Sequence, residues 1–577
     1  MATIPVFIKH QGKKYEVDLD PGTLGEVFKL QVFSLTGVQP ERQKILVKGG
    51  QLKDDTDLSK IGAKPGQVFM IMGTPAECGS DLQRPKEAIK FIEDMTEAEV
   101  AQQDGATPAG LLNLGNTCYL NSTLQMLRSI PELQQHLTKY TVSNETNDTS
   151  SILRDLSMVG FGNLIGPTDI VLSLRDLFQK MSETQEGFQP YAFLNTLRKK
   201  FPQFAEKSKS NNGYAQQDAE EAWSQIVHEI REHLKIKLED NSEISFVDKY
   251  MAGSFTSLIQ CDEQAALDAG EEATESKDSF LKLDCHINAN INHLKDGILA
   301  GLEQKLEKTS SILSRDTTYT KKSQISRLPK YLTVHFVRFF WKRESQKKVK
   351  IMRKVTFPDE FDVVEFCTDE LKNKLIPIRD KVREIRKDEE DMERARKRQK
   401  RIDDKKIVDE ISGRVNSTSN AAYDPTKHPK TNNSDPVKNP VEEVVCKSDA
   451  EIDAERIAAI ISAKKEVHSL VESQNFSDDG ANKSGLYELR GIVTHQGASA
   501  DGGHYTSFIK KQGPLDLKTG KRDAEDGKWW WFNDDKVSEV EADKIKTLAG
   551  GGESHSALIL LYRAFPLPDI TSSLTQD

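Results

Sequence analysis

The sequence predicts an α+β fold of two domains, a small N-terminal unit followed by a much larger body. The chain has 577 residues, more than one ordinary compact domain holds. Residues 1–75 alternate apolar and polar side chains at strand period around one helical stretch. From about residue 106 onward, helical patterns dominate the first half and strand patterns the second, which is typical of an α+β body.

The N-terminal unit reads as strand, strand, helix, strand, short segment and strand. IPVFIKH and KYEVDL flank the turn-forming Gly12, a helical stretch opens at Gly22, and QKILVKGG and QVFMIMG supply two further strands. This order resembles the β-grasp fold of ubiquitin. The pair Gly49-Gly50 is internal and the chain continues past Thr74, which excludes a conjugatable modifier. A recognition module and a small folded spacer both remain as interpretations.

A linker is predicted at residues 76–105, which carry Pro85 and the charged stretch KEAIKFIEDMTEAEV. The body follows at 106–566. An insertion at about 376–450 interrupts it and is predicted to contain one charged helix and one disordered, proline-bearing loop. Its basic cluster, Arg394–Arg401, is either a nuclear-import or partner patch or, given the acidic residues on both sides, a solvated helix face.

Composition argues against several classes of protein. A net charge of -10 argues against a dedicated nucleic-acid binder. No apolar run is long enough to span a bilayer and the N-terminus lacks the apolar core of a signal peptide, so we expect a protein of the cytoplasm and nucleus without membrane contact. The six cysteines form no close pair, so neither a disulfide framework nor a CxxC zinc site is predicted. We expect no metal and no cofactor.

A candidate nucleophile lies near the start of the body, in GLLNLGNTCYLNS at residues 110–122. Glycines and asparagines before Cys118 supply a tight turn, and apolar residues from Leu120 to Ile130 keep one helical face apolar. Cys118 is therefore predicted at a helix N-terminus, where the helix dipole and free amides favour the thiolate. The same turn can aim the Cys118 amide and the Asn113 side-chain amide at the oxyanion of a tetrahedral intermediate. The alternative is a buried structural cysteine.

A candidate base for this thiol is His504. The glycines before it form a stretch that can pass close to a substrate backbone, so Gly503 and Tyr505 are predicted substrate contacts. The segment WWWFNDD follows after a polar turn. An adjacent strand there would bring Asn533 against the far nitrogen of His504 and hold the imidazole in the tautomer that catalysis requires.

At these residues the sequence resembles the ubiquitin-specific proteases. GLLNLGNTCYLNS and THQG…GGHY…WFND are similar to the cysteine and histidine boxes of that family, and further matches lie at YAQQDAEE (214–221) and LPKYL (328–332). The four motifs span most of residues 108–565 in the family's order. The resemblance implies a papain-like domain of palm, thumb and fingers that grips ubiquitin and threads its C-terminal tail to Cys118.

The resemblance also implies roles for individual residues. Asn113 would be an oxyanion donor, His504 the general base, Asn533 the orienting residue and Asp534 an assisting neighbour. Gln217 and Asp218 would face the basic ubiquitin tail, for which a carboxylate is a suitable partner; a helix N-cap is the alternative for Asp218. The implied activity is hydrolysis after the C-terminal glycine of ubiquitin in its conjugates.

The partners implied are ubiquitin, polyubiquitinated proteins and the proteasome regulatory particle, because the N-terminal unit and a last loop, GGGESH, resemble those of the family's proteasome-associated member.

Two departures from the family pattern concern Asn533 and the fingers. Many members carry aspartate where this chain has Asn533, yet a neutral orienter still fixes the imidazole. Members with a zinc in the fingers carry paired CxxC motifs, whereas Cys261 and Cys285 stand alone, so the fingers are expected to hold without metal.

Three other interpretations compete with this one. A metalloprotease is disfavoured because His228 and His233 are separated by five positions rather than four and so leave a shared helical face. A papain-type protease of general specificity is disfavoured because the CGSCW signature is absent. A catalytically silent ubiquitin-binding scaffold is the alternative from another class. A further hypothesis is that loops at 339–344 and 550–554 obstruct the tail channel until a partner moves them.

Overall fold

The computed structural model divides the chain into two compact units, Met1–Met95 and Thr96–Asp577. The residues it describes are 3–10, 13–36, 38–47, 50–72, 95–102, 105–141, 169–208, 213–238, 241–310, 312–343, 347–415, 449–474, 476, 478–499, 502–513 and 525–569. The turn at Gly12, the predicted linker up to residue 94 and residues 416–440 of the predicted loop at 413–440 lie outside these ranges, whereas residues 413–415 of that loop are helical.

The first unit is a five-stranded sheet with one helix against it. Its elements are β1 (Ile4–His10), β2 (Lys13–Leu19), α1 (Gly25–Thr36), β3 (Lys44–Val47), β4 (Gly50–Gln51) and β5 (Val68–Met72). The strand order is β2-β1-β5-β3-β4, with β1 parallel to β5 and antiparallel to β2. Alternate residues such as Val6 and Ile8 are buried against Phe28 and Val32 of α1. The predicted β-grasp order is confirmed.

The second unit begins with helices. They are α2 (Glu97–Ala101), α3 (Cys118–Arg128), α4 (Pro131–Thr138), α5 (Ile170–Met181), α6 (Tyr191–Lys200), α7 (Ala219–His233), α8 (Phe246–Tyr250), α9 (Gln264–Asp268) and α10 (Leu294–Leu302). The helix α2 falls inside the predicted linker, where Thr96 and Glu99 form a capping box. The structure therefore places the last part of that segment in the second unit.

Strands dominate the rest of the second unit. They are β6 (Lys235–Lys237), β7 (Glu243–Ser245), β8 (Gly253–Cys261), β9 (Thr274–Phe280), β10 (Leu283–His286), β11 (Glu303–Thr309), β12 (Asp316–Arg327), β13 (Tyr331–Val337), β14 (Phe339–Lys342), β15 (Lys347–Lys350), β16 (Glu360–Asp362), β17 (Leu486–Ser499), β18 (Gly502–Lys510), β19 (Trp529–Asn533), β20 (Lys536–Val540) and β21 (Ser556–Ala564). A short helix, Ala542–Lys546, separates β20 from β21.

These strands form a ten-stranded sheet, a four-stranded sheet and a separate pair of β6 with β7. The ten-stranded sheet runs β10-β13-β21-β17-β18-β19-β20, with β14, β15 and β16 attached beside β17. The four-stranded sheet runs β11-β12-β8-β9. The helix α3 packs on β17, β18 and β19, and its apolar residues Leu120, Leu124 and Leu127 are fully buried there. The core of the large unit therefore lies directly beneath the residues that follow Cys118.

The insertion forms two long helices, α11 (Asp369–Val415) and α12 (Asp449–Ser473). The charged stretch predicted as a helix lies within α11. The second helix, which the sequence patterns did not predict, packs against α11 through a core that includes Val382 and Val467. Lys381 pairs with Glu466, and Lys464 with Glu389. The arginines and lysines from 394 to 401 are exposed.

Neither a membrane span nor a metal cluster occurs in the described part of the chain. None of the helices in the described ranges is long and apolar enough to cross a membrane. Within the same residues, no three His, Cys, Asp or Glu side chains are grouped so as to hold a metal ion.

Candidate active site

Cys118 is the first residue of α3, as the turn before it predicts. Gly115 and Asn116 have positive φ values of 95° and 55°. The Asn113 side-chain oxygen accepts from the amides of Gly115 and Thr117 at 3.0 and 3.1 Å, which closes the turn. The sulfur therefore lies at the helix N-terminus, and the residue is only 2% exposed.

His504 lies near the start of β18, opposite Gln496 of β17. The residue before it, Gly503, has a φ of 125°, and a Cβ there would lie 2.1 Å from the Gln496 carbonyl oxygen. Only glycine fits this close approach of two backbones. The glycine thus sets the path by which His504 enters the sheet.

Asn533 is hydrogen-bonded to His504. The strands β18 and β19 pair with Ser507 opposite Phe532, and this register brings Asn533 Oδ1 to 2.6 Å from His504 Nε2. A side-chain amide oxygen only accepts, so Nε2 carries the proton and Nδ1 is left as the basic nitrogen. The structure thus brings together the histidine and asparagine that the sequence predicts as a pair.

Asp534 connects the β19–β20 turn to the loop before Cys118. Its backbone has a φ of 54°, and its carboxylate accepts from Asn113 Nδ2 at 3.0 Å and from Asn121 Nδ2 at 2.8 Å. Its backbone oxygen accepts from the Leu111 amide at 3.0 Å. The His504 Nε2 lies 4.0 Å from this carboxylate. Asp534 therefore holds the cysteine loop and the histidine–asparagine pair in one arrangement.

Residues 109–562 match the family model described as ubiquitin carboxyl-terminal hydrolase. The chain belongs to the ubiquitin carboxyl-terminal hydrolase family. A second match, to the ubiquitin family, covers residues 6–76. The hydrolase therefore consists of a ubiquitin-like domain and a deubiquitinating catalytic domain, and the predicted family, fold class and enzyme class are confirmed.

Relatives share this organisation over nearly their whole length. Ubiquitin carboxyl-terminal hydrolase 6 of Schizosaccharomyces pombe is 41% identical over 97% of this chain and 99% of its own. Ubiquitin carboxyl-terminal hydrolase 6 of Arabidopsis thaliana is 36% identical over 97% and 98%. Ubiquitin carboxyl-terminal hydrolase 14 of Caenorhabditis elegans is 31% identical over 97% and 93%.

Burial and the helix N-terminus act in opposite directions on the pKa of Cys118 in the hydrolase. Burial raises the pKa of the thiol to about 11 and the nearby Asp534 carboxylate adds to the rise, while the amides of Tyr505, Tyr119 and Cys118 lower it. The helix N-terminal amides thus act in the predicted direction, but the loss of hydration outweighs them. The net effect on the pKa favours the thiol over the thiolate.

Tyr505 was predicted to contact the substrate, but its side chain is buried in the structure. Its ring is fully buried in the core and lies edge-on to His495, with 4.7 Å between ring centroids. The ring therefore presents no surface to a substrate, which corrects that prediction. Its backbone contacts the Cys118 thiol instead. Gly503 is exposed, so its predicted substrate contact stays a prediction.

Asn121 is a site residue that the sequence patterns did not reveal. It is buried, and its Nδ2 donates to the Leu111 carbonyl at 3.1 Å as well as to Asp534. An asparagine one turn after the nucleophile was the available signal, because a polar side chain that is buried there needs hydrogen-bond partners. Asn113, in contrast, is exposed, and one of its two Nδ2 hydrogens is directed to Asp534. Its second hydrogen is the one that an oxyanion would take.

Asp218 is the N-cap of α7, with its side chain accepting from the Glu220 amide at 3.0 Å. The N-cap interpretation is therefore confirmed, while contact with a substrate tail stays a prediction for Asp218 and for the half-buried Gln217 beside it. Burial raises the pKa of Asp218, and His335 nearby opposes the rise. The cap holds the carboxylate at the end of α7 that faces His335.

The histidines of α7 that resemble a metal-binding motif, His228 and His233, do not belong to a metal-binding cluster among the described residues. Both His228 and His233 are exposed. The buried Glu229 between them is bonded to Lys200 and lies 3.5 Å from His233 Nε2. Glu229 therefore serves to join α6 and α7.

Two segments of the hydrolase lie against the end of β17 that precedes His504. The β14–β15 hairpin pairs Val349 with Ser499 and places the Phe339 ring 5.2 Å from the His495 ring. From the other segment, the Glu553 carbonyl accepts from the Gly497 amide at 2.9 Å. Most of the loop residues predicted to obstruct the tail channel belong to these segments, although residue 344 lies outside the described part.

Proposed function

We propose that this hydrolase cleaves the bond after the C-terminal glycine of ubiquitin in ubiquitin–protein conjugates, with Cys118 as nucleophile and His504 as general base. The observation that carries the proposal is the 2.6 Å hydrogen bond between His504 Nε2 and Asn533 Oδ1. It fixes the tautomer in which Nδ1 is free to take the thiol proton. The family supplies ubiquitin as the substrate class.

The proposed reaction has two stages, formation of a thioester on Cys118 and its hydrolysis by water. His504 Nδ1 takes the proton of Cys118, and the sulfur attacks the carbonyl carbon of the terminal glycine. The C–N bond breaks as the imidazolium returns its proton to the leaving amine, which leaves a thioester on Cys118. Water attacks that thioester while His504 takes its proton, and the sulfur leaves with the proton that His504 returns. Ubiquitin is released with a free carboxylate.

Stabilisation of the oxyanion falls to two donors in this proposal. The backbone amide of Cys118 and the second Nδ2 hydrogen of Asn113 supply them. Asp534 acts as a positioning residue because it holds Asn113 by the first hydrogen. Gln217 and Asp218, near the N-terminus of α7, would face the basic tail of ubiquitin.

The ubiquitin-like domain serves, in the same proposal, to dock the enzyme on the proteasome regulatory particle. Leu46 and Met70 are cross-strand neighbours on β3 and β5, and both are exposed, as is Val68 two residues away. Three adjacent exposed apolar side chains favour a protein interaction surface.

Docking would also relieve an obstructed site. The raised pKa of Cys118 and its 2% exposure describe a nucleophile that is not ready to react. The β14–β15 hairpin and the segment around Glu553 both bond to residues 497–499. Movement of these segments by a partner would hydrate the cleft and admit the ubiquitin tail, so activity would rise on the proteasome.

The test is covalent labelling by ubiquitin with a thiol-reactive group in place of its C-terminal carboxylate. Wild type, Cys118→Ala and, as a matched cysteine control, Cys261→Ala are each treated alone and with proteasome. An adduct on wild type and Cys261→Ala that Cys118→Ala lacks supports the proposed nucleophile, and faster labelling with proteasome supports docking. No adduct in either state would favour the catalytically silent scaffold.

A further inference from the structure

A cavity of about 310 Å³ lies at the far ends of the three elements that carry the proposed catalytic residues. It is lined by Gln125 and Arg128 of α3, by Lys510 of β18 and by Trp530 of β19. Cys118 begins α3 and Gln125 is the lining residue of α3 nearest to it, so roughly 10 Å of helix separates Cys118 from the cavity at 1.5 Å per residue. The cavity is therefore distinct from the cleft in which ubiquitin would be cleaved.

The lining of this cavity is cationic. It includes Arg128, Arg490, Lys510 and Lys511, and no aspartate or glutamate among the described lining residues. Carboxylates behind the wall neutralise three of the four cations: Glu525 pairs with Arg490 and Lys510, and Glu539 with Lys511. Arg128 is the exception.

Arg128 has no carboxylate partner within the described part of the chain. Its Nη2 donates to the Met181 carbonyl and to the Ser182 hydroxyl, both at 3.2 Å. Its Nε is shielded from solvent and has no partner among the same residues. Burial lowers the pKa of the guanidinium to about 10, so it remains charged at neutral pH. A shielded cation without a counter-ion is costly, and a bound anion would relieve that cost.

Arg338 shows that the same domain can satisfy a buried arginine completely. It is fully buried, yet its guanidinium donates to four backbone carbonyls, those of Ile351, Arg353, Ala549 and Ala557. Arg338 therefore has a structural role. Arg128 differs in two respects, because it lines a cavity and its Nε is left without an acceptor among the described residues.

Part of the cavity wall is flat and apolar. It is formed by the half-buried Trp530 with Phe532 beside it, and the Lys511 ammonium lies 5.0 Å from the Trp530 ring centroid. A volume of about 310 Å³ is at the lower end of the range for small-molecule sites. The wall thus suits a ring system, and the arginine suits a carboxylate.

We propose that this cavity is a second ligand-binding site, which takes a small molecule bearing a carboxylate on a flat apolar ring system. The carboxylate bonds to Arg128 and the ring system lies on Trp530. The site goes beyond the proposed hydrolysis of ubiquitin conjugates, and its occupancy does not depend on that activity.

Naphthalene-2-carboxylate is the probe, with the uncharged naphthalene-2-carboxamide as its matched control, and binding to the full chain is measured by calorimetry. The carboxylate is expected to bind about tenfold or more tightly than the carboxamide, because a charge-assisted bond to arginine is replaced by a neutral one. Arg128→Gln should abolish this preference, and Lys511→Gln should weaken carboxylate binding severalfold. Lys528→Gln is the control variant, since Lys528 also pairs with Glu539 but does not line the cavity.

Equal affinity for both compounds, no binding of either, or unchanged carboxylate affinity in Arg128→Gln would overturn the proposal. A third measurement uses protein whose Cys118 is already blocked by the ubiquitin probe. Carboxylate affinity should be unchanged there. Loss of binding would mean that the compound occupies the catalytic cleft, which would also contradict the inference.

Discussion

Asn121 donates a 2.8 Å hydrogen bond to the carboxylate of Asp534 across 413 positions of sequence. The same Asn121 amide reaches the Leu111 carbonyl, so a single buried side chain joins α3, the loop before Cys118 and the β19–β20 turn. The arrangement that the proposed mechanism needs is therefore held by a residue that touches no reacting atom.

Replacing Asn121 with alanine should lower both stability and activity. The change leaves the Asp534 carboxylate and the Leu111 carbonyl without this donor, which costs about 1–3 kcal/mol of unfolding free energy. Loosening of the turn should also reduce kcat by about tenfold or more. Urea unfolding and hydrolysis of a fluorogenic ubiquitin amide measure the two effects. Asn290→Ala, at an exposed position, is the control; equal effects in both variants would argue against the positioning role.

The position of Cys118 at a helix N-terminus and the pairing of His504 with Asn533 could be predicted from sequence, whereas the contacts that support them could not. The three residues stand in recognisable local settings, a turn rich in glycine and asparagine before a helix and two neighbouring strands. The link from Asn121 to Asp534 depends on the packing of α3 against distant strands, which local patterns do not encode. The burial that raises the Cys118 pKa is likewise supplied by tertiary structure, so the local pattern indicated only the opposing effect of the helix N-terminus.

The two substitutions Asn533→Ala and Asn533→Asp should separate orientation from charge. Alanine removes the acceptor that fixes His504, so kcat should fall by about 10² or more. Aspartate also accepts from Nε2, so that variant should keep kcat within about tenfold of wild type. The pH profile of kcat/KM for the fluorogenic substrate should shift in the aspartate variant, because a carboxylate stabilises the imidazolium. Full activity in the alanine variant would remove Asn533 from the mechanism.

Gly502 and Gly503 offer a matched test of whether the backbone conformation before His504 requires glycine. A Cβ on Gly503 would lie 2.1 Å from the Gln496 carbonyl oxygen at a φ of 125°, whereas a Cβ on Gly502 meets nothing described within 4 Å. Gly503→Ala should therefore lose about 1–3 kcal/mol of unfolding free energy and most of its activity. Gly502→Ala should change neither by much. Thermal unfolding and ubiquitin-amide hydrolysis compare them, and similar behaviour of the two variants would show that the strand path tolerates a side chain before His504.

Alkylation of Cys118 in the free enzyme should be slow at neutral pH and should accelerate with alkalinity. Because the thiol pKa is raised from 9.0 to about 11, the thiolate fraction grows about tenfold per pH unit until that value is approached. The fold favours the protonated form, so the thiol's contribution to stability is intact below pH 9 and is lost as the pH rises through 11. Iodoacetamide modification of the Cys118 peptide, followed by mass spectrometry between pH 6 and 11, measures the rate.

Cys285 is the internal control for this experiment. Burial raises its pKa to about 12, so its modification should accelerate at a higher pH than that of Cys118. A rate that already levels off below pH 8 would mean that Cys118 and His504 form a thiolate–imidazolium pair without any partner, and the buried, unready nucleophile would then be the wrong description.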